Sequence, residues 1–328
     1  MRFLILGCGS IGERHITNIK NQSSQNKIDV FDQNSQRLEQ ISLKFNVNSV
    51  SESAIGSQYD CVFICTPPIS HIPLAIKAIK AGSNVFIEKP LSVSTDGIQE
   101  LLKLMKEKKK IVFVGYNFRF NKGIEKVKEI TKTGKLGKSL HVSAYFGQYL
   151  PDWRPQQDYS KSYTANHDLG GGIIHDGSHE IDYLVWIFGN PISLKSGYGY
   201  TNSLKTNTEA IADVLLKFEN NSLGRIHLDF IRREYKRSLE ILYENGIVKW
   251  SLSNDKIQIF EADKKSWSDI KLEESVNDMY VNELNHVLDH IKNNKKSEII
   301  DIENGINTLR LSISIHDSEK TGTEMVVK

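Results

Sequence analysis

The chain has 328 residues, 39% apolar and 25% charged, with 42 basic side chains against 40 acidic ones. That is room for two domains of ordinary size in a soluble globular protein. A formal net charge of +2 gives no electrostatic reason to expect nucleic acid or an anionic membrane as partner, though it leaves room for a local basic pocket.

No stretch reaches the roughly 20 apolar residues of a membrane span. Ile5-Leu6-Gly7-Cys8 has the look of a lipoprotein cleavage site, but the apolar run before it falls short of the roughly 7–15 residues of a signal core. A cytoplasmic location is therefore expected. Cys61 and Cys65 would share one face of a strand and, with Cys8, read as small buried hydrophobes in a reducing compartment rather than a disulfide or metal framework.

The first part of the chain alternates short strands with helices. Strands are predicted at residues 2–6, 27–31, 61–66, 84–87 and 111–114, and helices at 11–21, 37–45, 71–81 and 97–109. Such alternation argues for βαβ units with right-handed crossovers, hence a parallel, doubly wound sheet. After about Phe120 the pattern changes. A helix at 123–131 leads into longer alternating strands at 139–149, 211–218, 224–231, 237–243, 246–251 and 256–261, with Glu219-Asn220-Asn221-Ser222-Leu223 as a hairpin turn. Helices are predicted at 178–188, 278–292 and 302–318. The expected fold is α/β: a nucleotide-binding Rossmann domain over 1–120, then an α+β domain over 121–328 with an open, mostly antiparallel sheet. No linker or repeat separates the halves, and the last helix is expected to close the chain against one of them.

Gly7-Cys8-Gly9-Ser10-Ile11-Gly12 is a GxGxxG segment directly after the first strand, opening the first helix, and Asp32 ends the next apolar run 20 residues past Gly12. Gly7 permits the tight turn, Gly9 lets the backbone approach a pyrophosphate, and Gly12 allows close helix–strand packing. The amides of Ser10 and Ile11 at the helix start then face the anion. A carboxylate at Asp32 accepts from the ribose hydroxyls and repels a 2′-phosphate, so NAD is expected rather than NADP. Arg37 is the residue that would soften that preference.

Further motifs make the chain similar to the glucose–fructose oxidoreductase and inositol dehydrogenase family, Gfo/Idh/MocA. They are Cys65-Thr66-Pro67-Pro68 with His71, Glu88-Lys89-Pro90, Gly115-Tyr116-Asn117-Phe118-Arg119-Phe120, and Gly170-Gly171-Gly172 leading to Asp176 and His179. The resemblance spans nearly the whole chain. It implies a Rossmann domain followed by an open sheet that carries the substrate site and often an oligomer interface. Cys65, Thr66, Pro67, His71 and Asn117 would then lie along the dinucleotide, Glu88 near the nicotinamide ribose, and Lys89 in the cleft.

Hydride removal from a secondary alcohol needs a base for the hydroxyl proton and a donor for the developing negative charge. The resemblance assigns these to His179 and Lys89. Asp176 would orient the imidazole from the same helix face, three residues away, although many family members place that aspartate four residues before the histidine, where this chain has His175. Substrate contacts are expected from Lys89, Arg119, Trp153, Arg154, His175, Asp176 and His179. Tryptophan packs on sugar C–H faces and arginine forks bind carboxylate or phosphate; Trp153 can equally anchor its loop. The segment 148–159 and His179-Glu180-Ile181-Asp182-Tyr183 look similar to a branch acting on surface-glycan sugars, which implies a nucleotide-linked or acidic amino sugar.

The function expected is an NAD-dependent sugar oxidoreductase acting on CH–OH, working as a homodimer or homotetramer on a small sugar, without nucleic acid or membrane. A redox-assisted lyase, epimerase or glycosidase would use the same residues. A metal-dependent hydrolase would use His175 and His179 at helical ligand spacing with Asp176 and Glu180, but Gly177 interrupts that helix and no metal is expected. A non-catalytic nucleotide sensor would need neither Lys89 nor His179.

Overall fold

Runs such as Phe3-Leu4-Ile5-Leu6 and Cys61-Val62-Phe63-Ile64 are apolar at every position because the strands they form are covered on both faces. The computed structural model describes residues 1–56, 58–254 and 256–327. Contacts divide them into two units, 1–117 with 280–306, and 118–279 with the chain from 307 onward.

The first unit carries β1 (Arg2–Leu6), α1 (Ser10–Gln22), β2 (Lys27–Phe31), α2 (Ser35–Phe45), β3 (Asn48–Ser49), β4 (Cys61–Ile64), α3 (His71–Lys80), β5 (Asn84–Glu88), α4 (Ile98–Lys108) and β6 (Val112–Gly115). Its six strands are all parallel in the order β3-β2-β1-β4-β5-β6. The order reverses between β1 and β4, and in doubly wound sheets that crevice, at the carboxyl ends of the strands, is where ligands bind. Phe63 stacks on Phe86 with ring centroids 4.7 Å apart, and the ring of His15 packs on both. Strand β4 stops at Ile64, so Cys65 and Thr66 lie in the loop beyond it and Cys65 does not share a strand face with Cys61. Cys8 and Cys61 are buried, Cys65 half-buried, and all three are free thiols. Burial pushes the Cys8 thiol up to about 12.

The second unit carries α5 (Lys122–Thr133), β7 (Ser139–Gly147), α6 (Ile173–Asp176), α7 (Ser178–Phe188), β8 (Ser193–Gly199), β9 (Ile211–Lys217), β10 (Leu223–Asp229), β11 (Lys236–Tyr243), β12 (Gly246–Ser251), β13 (Lys256–Glu261) and β14 (Ser266–Lys271). Helix α8 (Asp278–Lys292) contributes most of its length to the first unit, and α9 (Ile302–Thr321) and β15 (Met325–Val326) end the chain. The nine-stranded sheet runs β14-β13-β12-β11-β7-β10-β9-β8-β15 and is antiparallel except where β7 meets β10. Strand β11 alternates half-buried and buried residues along its whole length, the period of a sheet with one covered face. The β9–β10 hairpin closes at the expected turn, where Phe218 N–H donates to Ser222 O at 3.0 Å and Asn221 takes φ 64°. Sequence reading passes over β8 and β14: β14 is an edge strand whose alternation is nearly all polar. Among the described residues no helix is long and apolar enough to cross a membrane.

Candidate active site

The glycines of the first loop do three different things. Gly7 sits at φ +94°, where a Cβ would lie 2.6 Å from Cys65 O; a Cβ on Gly12 would lie 2.0 Å from Gly7 O; a Cβ on Gly9 would meet nothing within 4 Å. Gly7 and Gly12 are therefore held by close backbone packing, whereas Gly9 borders open space beside the start of α1. Ser10 and Ile11 open that helix at its positive end. This is a cradle that fits a dinucleotide pyrophosphate. Asp32 is locked in place, accepting from Cys8 N–H at 2.6 Å and from Asn34 N–H at 2.8 Å. Arg37 is turned to other work: its Nε donates to Cys8 O at 2.7 Å and its Nη2 pairs with Glu13. A guanidinium so engaged does not offer itself to a 2′-phosphate, which agrees with NAD.

At the carboxyl end of β5, Glu88 is buried and its Oε1 lies 2.6 Å from Nε2 of His15, itself 1% exposed. His15 sits one turn into α1, so the helix that begins at the glycine loop is tied to the strand that ends at Glu88, just before Lys89. Lys89 N–H donates to Glu88 Oε2 at 3.2 Å, and the Lys89–Pro90 peptide is cis. His71, expected along the dinucleotide, is instead buried between two carbonyls, with Nε2 2.7 Å from Thr66 O and Nδ1 2.9 Å from Pro90 O. Burial lowers its pKa. It joins the Thr66-Pro67 loop to the Lys89-Pro90 turn rather than lining a ligand. Ser70 Oγ closes the same loop onto Thr66 Oγ1 at 2.7 Å. Asn117 is buried after β6, and the ring of Tyr280 from α8 lies 4.4 Å under the guanidinium of Arg14.

In the second unit Gly177 separates two helices. Asp176 ends α6, and His179 stands in the first turn of α7. The helix expected to carry both residues is therefore interrupted at Gly177, with Asp176 and His179 on either side of the break. Asp176 is 4% exposed and its Oδ1 accepts from the hydroxyl of Tyr163 at 2.9 Å. The His179 ring packs on Phe118 at 4.8 Å between centroids, and His175 turns to His316 of α9 at 5.3 Å. Glu209 lies beneath α6: its Oε1 accepts from Ile174 N–H at 3.1 Å, and it fills the space a Cβ on Gly172 would need. Burial pushes the Glu209 carboxyl up to about 7. Among the described residues no group of three or more His, Cys, Asp or Glu is arranged to hold a metal.

The two candidate arginines separate completely. Arg119 is 0% exposed and meets Asp182 with both arms of its fork, Nε to Oδ2 and Nη2 to Oδ1, each at 2.8 Å. Thr308 Oγ1 adds 3.1 Å to Asp182 Oδ1. Assigning Arg119 to substrate is thus corrected: it is half of a buried structural ion pair. Arg154 is half-buried and, among the described residues, makes no ion pair. Trp153 Nε1 donates to Gln148 O at 3.2 Å and its ring packs edge-on to Phe230 at 5.3 Å. It anchors its loop to the sheet while also bordering a cavity.

Sequence reading missed His15, Tyr163, Glu209 and Tyr280. His15 left a trace, since it falls on the buried Gly12, Ile16, Ile19 stripe of α1. The other three fall on no apolar stripe that would have marked them.

Comparison with known proteins gives a consistent result. Residues 1–116 match the model of an oxidoreductase family with an NAD-binding Rossmann fold, and residues 124–249 match the GFO/IDH/MocA C-terminal domain. The chain is 27% identical over 258 residues to myo-inositol 2-dehydrogenase of Thermotoga maritima, covering 75% of this chain and 74% of that one. It is 26% identical over 340 residues to scyllo-inositol 2-dehydrogenase (NAD(+)) of Bacillus subtilis, covering 98% and 95%. Among solved structures, the WlbA dehydrogenase of Bordetella pertussis, in complex with NADH and UDP-GlcNAcA, superposes with a TM-score of 0.84 at 21% identity, covering 100% of this chain and 99% of that one.

Proposed function

The chain belongs to the Gfo/Idh/MocA family of NAD-binding oxidoreductases, and on that premise we propose that it oxidises a secondary alcohol of a sugar, or reduces the matching ketone. The observation that carries this reading is the His15–Glu88 bond, which fixes the Glu88-Lys89 turn to the helix of the dinucleotide loop. A cation at Lys89 is thereby set in fixed register with the nucleotide loop, at the end of the strand where this fold binds ligands.

Bound NAD supplies the acceptor for the hydride, with its electron pair, that leaves the alcohol carbon. The Lys89 ammonium polarises the substrate oxygen and stabilises the negative charge that develops there. The His179 imidazole takes the hydroxyl proton as general base. Asp176, held by Tyr163, orients that end of the substrate site. The sugar is proposed to be nucleotide-linked or acidic, a reading supported by Arg154, which makes no ion pair among the described residues, and by the ligand of the Bordetella pertussis protein.

The test is a panel of inositols, neutral sugars, uronates and nucleotide sugars, with NADH absorbance followed and products identified by mass spectrometry. Lys89→Ala and His179→Ala should lower turnover by about 10²–10⁴-fold with NAD affinity unchanged. His175→Ala and Asp176→Ala should be milder, the more damaging of the two marking the family's aspartate role. Wild-type turnover in Lys89→Ala or His179→Ala defeats the assignment, and a redox-assisted lyase or epimerase would give product without net NADH. Exposed Leu215 and Leu223 on one face of β9 and β10 support a homo-oligomer, which a monomeric mass in light scattering would refute.

A further inference from the structure

The segment between β7 and α6 lines a half-open cavity of about 330 Å³ that lies entirely within the second unit. That volume is at the small end of ligand pockets, which run about 300–1,000 Å³. It suits one sugar-sized or phosphate-sized group. The charged residues in its wall are Arg154, Lys161 and Asp158. Asp158 is occupied locally: Oδ1 accepts from Ser160 N–H at 3.1 Å and from Ser160 Oγ at 2.7 Å. Its approach to Lys161 is loose, 3.8 Å between two exposed side chains. Such a contact contributes little in water. The wall is therefore net positive, and its half-buried member, Arg154, makes no ion pair among the described residues.

A half-buried guanidinium without a counter-charge is uncommon, because partial desolvation penalises the cation unless an anion compensates it. Asp152 and Asp158 are both near in sequence, yet neither pairs with it. Two residues of its wall also adjoin, in sequence, a residue of the proposed site. Ser162 and Thr164 in its wall flank Tyr163, whose hydroxyl holds Asp176 at 2.9 Å. Arg154 lies close enough to Tyr163 for its charge to favour the ionised phenol.

We propose that this cavity is the subsite for an anionic group of the substrate, a carboxylate or a phosphate, gripped by Arg154. The proposal rests on the sugar-oxidoreductase reading and deepens it. The oxidised carbinol lies toward Asp176, and the anion lies on the far side of Tyr163. Guanidinium matches either oxyanion with two parallel N–H···O bonds, so carboxylate and phosphate share this chemistry.

The experiment is a ligand-detected NMR titration of the NAD-saturated protein, sensitive to millimolar affinities. D-glucuronate probes for a carboxylate, UDP for a pyrophosphate, and D-glucose is the uncharged control. At least one anion should bind, with Arg154→Gln weakening it about tenfold or more while NAD affinity and D-glucose binding stay unchanged. The anion that responds to Arg154→Gln identifies the group. Absence of binding by both anions, or equal binding to wild type and Arg154→Gln, overturns the subsite. The two readings fail separately. A panel sugar turned over without any Arg154-dependent anion binding leaves the dehydrogenase standing and removes the subsite. Arg154-dependent binding with no sugar oxidised removes the sugar chemistry and keeps an anion site.

Discussion

The glycine loop of the first unit and the 150–209 region of the second use the same kinds of contact, but over different distances along the chain. In the first, residues within about one βαβ unit make the site: Asp32 accepts from Cys8, and Arg37 closes on Cys8 and Glu13. In the second, Tyr163 reaches Asp176, Glu209 reaches Ile174, and Arg119 reaches Asp182. A βαβ turn can be read as a motif because its chemistry is local; the second region cannot. The two arginines carry the lesson furthest: residue type alone makes both anion binders, and burial makes one of them structural.

The sharpest way to break that contrast is to remove the partner of each arginine's proposed role. Asp182→Ala leaves Arg119 buried and uncompensated, so it should lose about 3–5 kcal/mol in urea unfolding. Arg154→Gln should stay within about 0.5 kcal/mol of wild type, as substitutions outside the buried network do. A small loss in Asp182→Ala would mean that the buried pair is not structural.

The next effect concerns Glu209. Its folded pKa of about 7 lies above the ordinary carboxyl value of 4.5, so the folded state holds the proton more tightly. That stabilisation is complete below pH about 4.5 and is lost as pH rises through about 7. Glu209→Gln keeps an oxygen for Ile174 N–H and removes the titration. It should therefore match wild type near pH 4–5 and exceed it at pH 8 by on the order of 2–3 kcal/mol. Thermal unfolding at the two pH values checks this, and identical pH dependence in both proteins would show that Glu209 is not perturbed by its burial.

The smallest expected effect tests the long-range bond nearest the chemistry. Tyr163→Phe removes one hydrogen bond to Asp176, about 1 kcal/mol, and should reduce kcat several-fold with NAD affinity unchanged. In an Asp176→Asn background the same change should do much less, because the two residues act as one unit. Additive losses in that cycle would assign Tyr163 to packing of its loop.

Much of the architecture was legible. Strands β1, β2, β12 and β13 and helices α7 and α8 fall on the residues that periodicity predicts, since burial on one or two faces writes itself into the apolar pattern. The short turns of 150–169 were not legible, because one-turn 3₁₀ segments carry no period, and β15 is two residues long. Within the candidate site, the glycine loop, Asp32, Lys89 and His179 could be named from motif and resemblance. The helix break at Gly177 was visible in the sequence only as a glycine, since a single residue carries no period.

The sequence by itself determined the two kinds of sheet and the place of the glycine loop between the first strand and the first helix, because each follows from spacing within a few dozen residues. Only the tertiary structure decided that Arg119 belongs to Asp182, that His71 bridges two loop carbonyls, and that His15 fixes Glu88. Those partners lie 63 residues apart for Arg119 and Asp182 and 73 apart for His15 and Glu88. Whether a charged side chain meets a ligand or a buried counter-charge depends on which distant segment packs against it, and no local pattern records that.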